Sequence, residues 1–137
     1  MKIIICGSIS AHKKMLEIKQ ALVYMGHSID MPGLGNIKHE LDLDGNSVES
    51  AHIKIRDDLI RGYYHKIENN DAVLVVNEDK KGITGYIGGN TFLEIGFGYV
   101  LNKKIFILNQ FSREISYSDE INAMEPIVIN GNLNKII

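Results

Sequence analysis

A chain of 137 residues, 45% hydrophobic and 23% charged, holds enough apolar material for one core, and its composition excludes a wholly disordered chain. A formal net charge of −2 without a basic stripe excludes a nucleic-acid duplex as the expected partner; the pairs Lys13–Lys14, Lys80–Lys81 and Lys103–Lys104 read as solvated faces. One cysteine, Cys6, excludes an intrachain disulfide, and no apolar run reaches the roughly 18 residues of a membrane span.

The opening MKIIICGS is too short for a secretion leader, so a cytoplasmic protein is expected. Residues 2–6, KIIIC, form a β-branched run ended by GSIS and read as a buried strand, with Cys6 as an inert buried thiol. Residues 11–26 carry Met15, Ile18, Leu22 and Met25 at helical spacing, and Gly26 supplies the stop. HSIDM, 27–31, is a second strand ended by Pro32. Residues 33–47 have no period and read as a loop over a site.

Residues 48–69 read as one long helix with Ile55, Leu59, Tyr63 and Ile67 on one face. DAVLVVN, 71–77, places five apolar residues in a row, the mark of a strand buried on both faces. After a glycine-rich loop, a helix is expected at about 91–102 and a strand at 104–108. A short helix at 117–125, a strand at 126–129 and a final turn complete the chain. Strand and helix alternate throughout. The expected fold is a single α/β domain over 1–137, a three-layer sandwich around a five-stranded parallel sheet in the flavodoxin-like order 2-1-3-4-5.

Such sheets bind ligands outside the carboxyl ends of their strands, at the switch point between strands 1 and 3. Two loops meet there. In GSIS, Gly7 permits a tight turn, Ser8 and Ser10 offer hydroxyls, and the backbone of Ile9 opens a helix suited to an anion; a plain serine-capped turn fits equally well. In the second loop, Asn77 ends the strand, Tyr86 offers a ring and a hydroxyl, and Gly88, Gly89 and Asn90 allow close backbone approach. Glu94 has two readings. Thr91-x-x-Glu94 is a capping-box pattern. A carboxylate in the first turn of a helix also stays ionised and can attack a sugar carbon or stabilise an oxocarbenium ion.

The segments CGSI, DAVLVVN and LEIGFGYVLNKKIFIL resemble the nucleoside 2-deoxyribosyltransferase family, which includes 2′-deoxynucleoside 5′-phosphate N-hydrolases. The resemblance runs over nearly the whole chain, with its best matches at 3–9, 70–77 and 89–108. It implies a glycosyl-enzyme mechanism on a nucleoside or nucleoside 5′-monophosphate, with Glu94 in the place of the nucleophile; no cofactor is expected, and the five histidines are spread without ligand spacing, so no metal site is expected. It also implies that CGSI holds the sugar or 5′-phosphate. Asn122 and Met124 resemble a segment that reaches a neighbouring subunit's site, which implies a homodimer or higher homo-oligomer. Two positions depart from the pattern. Tyr63 stands where the family carries an aspartate eight residues before Asp71, and Gly88 stands where it carries an acid or a serine. The groups nearest in sequence that can substitute are Asp58 and the hydroxyls of Tyr63, Tyr64 and Tyr86. His52 and His65 are candidates to protonate a leaving base. These departures keep a non-catalytic nucleotide-binding module on the same fold in view. A flavin carrier is disfavoured, because the first loop is not a Ser/Thr-rich cradle and the chain has no tryptophan.

Overall fold

The computed structural model of the protein describes residues 1–31 and 58–137. The loop expected at 33–47, the first part of the helix expected from 48, Pro32 and His52 lie outside the described residues. Five strands, β1 (Lys2–Gly7), β2 (Ser28–Asp30), β3 (Ala72–Val76), β4 (Lys104–Ile107) and β5 (Ile127–Val128), form one sheet. Their order is β2-β1-β3-β4-β5 with every neighbouring pair parallel, as the alternation of elements predicts. The helices are α1 (His12–Tyr24), α2 (Leu59–Glu68), α3 (Gly89–Val100) and α4 (Ser118–Ala123), with 3-10 turns at Ile9–Ala11 and Leu133–Lys135.

Strand alternation sorts the side chains into two layers. Ile3, Ile5, Leu74, Val76 and Phe106 face α1, where Met15, Ile18 and Leu22 cover them. Ile4, Cys6, Val73, Val75, Ile105 and Ile107 face the other way, against Ile67 of α2, Ile95 of α3 and Ile121 of α4. Each fully buried aliphatic side chain contributes about 1.5–3 kcal/mol of transfer free energy, so β1, β3 and β4 dominate the core. The edge strands β2 and β5 are short and only partly covered.

Helix α1 ends as its glycine predicts. Gly26 takes φ +95, its N–H donates to the Val23 carbonyl, and the His27 N–H donates to the Leu22 carbonyl, a Schellman stop. Two other boundaries differ from expectation. Asp58 sits at φ +48, in the left-handed region, so helical geometry does not run through it and α2 starts at Leu59. Helix α3 starts at Gly89, with Gly88 as its N-cap and no side-chain cap bond.

Candidate active site

The boundary of α3 decides between the two readings of Glu94. Thr91 is not the N-cap; it lies inside the first turn and is only 5% exposed. Gly88 occupies the cap, a position glycine fills well, and its carbonyl accepts from the Phe92 N–H at 2.9 Å. The capping box is therefore not formed. Glu94 stands in the second turn, past the region where the helix dipole acts strongly. It is half-buried, and its carboxylate is a hydrogen-bond partner of the Cys6 thiol near the carboxyl end of β1.

Among the described residues, Tyr63 and Asp30 act electrostatically on that contact. Burial pushes the Cys6 thiol well above its ordinary range, and the adjacent Glu94 carboxylate pushes it further. Burial also raises the Tyr63 phenol far out of its ordinary range, with Cys6, Glu94 and Asp30 adding to the effect. Tyr63 therefore stays a neutral phenol, and its O–H donates to the Ile5 carbonyl at 2.6 Å. Asp30, at the end of β2, is half-buried, and its charge is felt at both Cys6 and Tyr63.

The loops after β1 and β3 meet above this layer. Gly7 lies against β3 so closely that a Cβ there would stand 2.6 Å from the Val76 carbonyl oxygen and 2.7 Å from Met15 Cε. Ser8 then leads into the 3-10 turn that begins at Ile9, and its Oγ lies 3.0 Å from Ser10 Oγ. Lys81 at φ +54 and Gly82 at φ +73 make a type I′ turn, closed by the Lys80 and Ile83 backbones. That turn brings Lys80 back across the switch point, where its Nζ donates to Ser8 Oγ at 2.8 Å. The ammonium groups of Lys80 and Lys81 lie 5.9 and 5.6 Å from the Tyr86 ring centroid, within cation–π range. A Cβ on Gly88 would touch that same ring at 3.5 Å.

Asn77 holds this loop in place. It is 1% exposed, and its amide donates to the Gly85 and Asn109 carbonyls while its Oδ1 accepts from the Asn109 N–H. Gly85, at φ +58, approaches the Gln110 carbonyl so closely that no side chain fits. Its N–H donates to Asp79 Oδ1 at 2.8 Å. The side chain of Asn77 is thus spent on backbone partners.

The structure therefore gathers Gly7, Ser8, Ile9, Tyr86, Gly88 and the first turn of α3, with Gly89 and Asn90 exposed at its start, around the carboxyl ends of β1 and β3. Glu94 and Tyr63 lie in the layer beneath. Asp58 is not drawn in; its carboxylate is 54% exposed and pairs with Arg61 at 3.1 Å. His65 lies on the exposed surface beside Glu68, near the end of α2. Asn122 is exposed on α4, whereas Met124 packs against the α3 layer. Sequence reasoning missed two residues. Lys80 read as half of a solvated pair, and the glycine after Lys81 was the available hint of a return turn. Asp30 read only as part of a weak strand.

No family profile and no curated protein matches the chain. Among solved structures, the fold matches that of the Clostridium botulinum CMP N-glycosidase BcmB at a TM-score of 0.52 and 14% identity, over 95% of this chain and 90% of that one. The α/β architecture is therefore shared with that enzyme over almost its full length. No helix among the described residues is long and apolar enough to cross a membrane.

Proposed function

We propose that the protein cleaves or transfers at the N-glycosidic bond of a nucleoside or nucleoside 5′-monophosphate, with Glu94 as the nucleophile. The observation that carries this reading is the position of Glu94. It is released from capping, half-buried in the second turn of α3 and adjacent to Cys6 at the carboxyl end of β1, the strand edge at which Lys80 meets Ser8. The shared fold with a CMP N-glycosidase supports it.

In this mechanism a Glu94 carboxylate oxygen attacks C1′ and forms an ester as the C1′–N bond breaks. The bonding electron pair leaves with the base, which takes up a proton. Water, or a second base in a transfer, then attacks C1′ and returns Glu94 as a carboxylate. Lys80, Ser8 and the 3-10 turn from Ile9 would hold the 5′-end, and Tyr86 would line the approach. Tyr63, a neutral phenol bonded to the Ile5 carbonyl, would support the floor beside Glu94 rather than carry a proton. The same reading takes the protein as a homo-oligomer. Leu93, Tyr99 and Val100 of α3 and Ile60 of α2 are exposed apolar groups suited to a second copy.

The test is base release, followed by chromatography, from ribo- and deoxyribonucleosides and their 5′-monophosphates, with wild type beside Glu94→Gln. Release by wild type alone is expected. Equal release by both proteins removes Glu94 from the chemistry. A second reading is a nucleotide-binding module, favoured by Gly88 at the position of the family's acid or serine and by the outward ion pair of Asp58. It predicts ligand-dependent thermal stabilisation with no base released.

A further inference from the structure

The charges of two carboxylates, Glu94 and Asp30, act on Cys6 and Tyr63, and the reading above uses only one of them. Asp30 is the other. Its place follows from the sheet. Asp30 pairs in register with Ile4, and registered partners in adjacent parallel strands project to the same face. Ile4 belongs with Cys6 to the layer under α2 and α3, whereas Ile29, one residue earlier, packs into the α1 layer. Asp30 is therefore on the Glu94 face, on the strand next to β1. Among the described residues it has no ion-pair partner.

The stereochemistry of the substrate says what a second carboxylate there would meet. In a β-nucleoside the base and C5′ project from one face of the furanose ring, and the hydroxyls from the other. A nucleophile that displaces the base must approach C1′ from the hydroxyl face. A carboxylate on the nucleophile's side therefore faces the hydroxyls and not the base. With two acceptor oxygens and no donor, it matches a pair of adjacent hydroxyl donors.

Resting on the reading of Glu94 as nucleophile, we propose that Asp30 is a substrate-binding carboxylate that accepts hydrogen bonds from the 2′- and 3′-hydroxyls and selects ribose over 2′-deoxyribose. A hydrogen bond to a charged group changes affinity by about 10- to 100-fold, and that is the expected size of the preference.

The experiment compares kcat/KM for base release from the four ribonucleoside 5′-monophosphates and their 2′-deoxy counterparts, in wild type and Asp30→Asn. Wild type is expected to favour ribose by about 10- to 100-fold, with the ratio falling toward one in the variant. A ratio that survives in Asp30→Asn, or a wild type with no ribose preference, overturns the proposal. Asp30→Ser, with a melting curve for each protein, separates a lost contact from a lost fold. Calorimetric binding of ribose 5-phosphate and 2-deoxyribose 5-phosphate gives the same ratio without turnover. If Glu94→Gln still releases base, the nucleophile assignment fails while this ratio still judges Asp30. If wild type binds neither sugar phosphate and cleaves nothing, Asp30 recognises no sugar.

Discussion

The two faces of β1 are built from the same β-branched run and serve different ends. Toward α1 the strand presents Ile3 and Ile5, which pack in one apolar cluster with Met15, Ile18 and Leu22. Toward α2 and α3 it presents Ile4 and then Cys6, and around Cys6 the structure collects a carboxylate, a phenol and a second acid. One face maximises burial. The other accepts buried polar groups at the carboxyl end, and such groups cost stability unless partnered. A parallel sheet separates the two demands because alternate residues on one strand point to opposite layers.

Substitutions on the two faces should fail in different ways. The largest effect is expected from Glu94→Gln. If Glu94 forms the ester as proposed, turnover falls by at least about 1,000-fold, while nucleotide affinity by calorimetry changes by less than about tenfold. Ile5→Ala on the α1 face should do the reverse. It leaves a cavity against Leu74 and Met15 and costs about 2–5 kcal/mol by urea denaturation, with little change in turnover per folded molecule. If Ile5→Ala abolished turnover in a protein that remained folded, the two faces would not be separate in function.

A smaller effect is expected at the mouth. Lys80→Ala removes the ammonium that reaches Ser8 and lies near Tyr86. Affinity for a nucleoside 5′-monophosphate should fall by about tenfold, with less loss for the bare nucleoside and a steeper loss at low salt. Equal loss for both ligands would mean that Lys80 serves the loop and not an anion.

The sheet was legible in the sequence because its central strands carry no ambiguity. KIIIC and AVLVV are short apolar runs rich in β-branched Ile and Val, and their turn residues fall at the right places. The start of α3 was not legible. Thr91-x-x-Glu94 satisfies a local capping rule, but tertiary anchoring overrides it. Ile87 is buried, and its carbonyl accepts from the Tyr117 O–H, so the chain enters the helix at Gly88. Glu94 thus moves from the first turn to the second, and from a cap position to a half-buried one beside Cys6. Lys80 was hidden for a related reason. Its contact with Ser8 spans 72 residues of sequence and depends on the Lys81–Gly82 turn. The face that Asp30 shares with Cys6 follows from the register of β2 on β1, which composition does not encode.

The last difference between the faces concerns alkali. On the α1 face, Ile3 and Ile5 belong to a cluster of apolar side chains among the described residues, whereas Cys6 and Tyr63 both have folded-state pKa values raised above the ordinary 9.0 and 10.0. Below pH 9 both groups are protonated whether the chain is folded or not, and they add no pH dependence. Above it, the unfolded chain releases the thiol proton while the folded chain retains it. The folded state then binds more protons, so stability falls as pH rises, by on the order of a kcal/mol per pH unit for each such group. Cys6→Val deletes one of the two. Its stability should decline less steeply than that of wild type between pH 9 and 10.5, read as urea midpoints, while Ile5→Val leaves the slope unchanged. Parallel curves for Cys6→Val and wild type would mean that the thiol titrates in the folded protein as it does in the unfolded chain. The Glu94 face would then be open to hydroxide, and its apolar layer no barrier to water in the proposed mechanism.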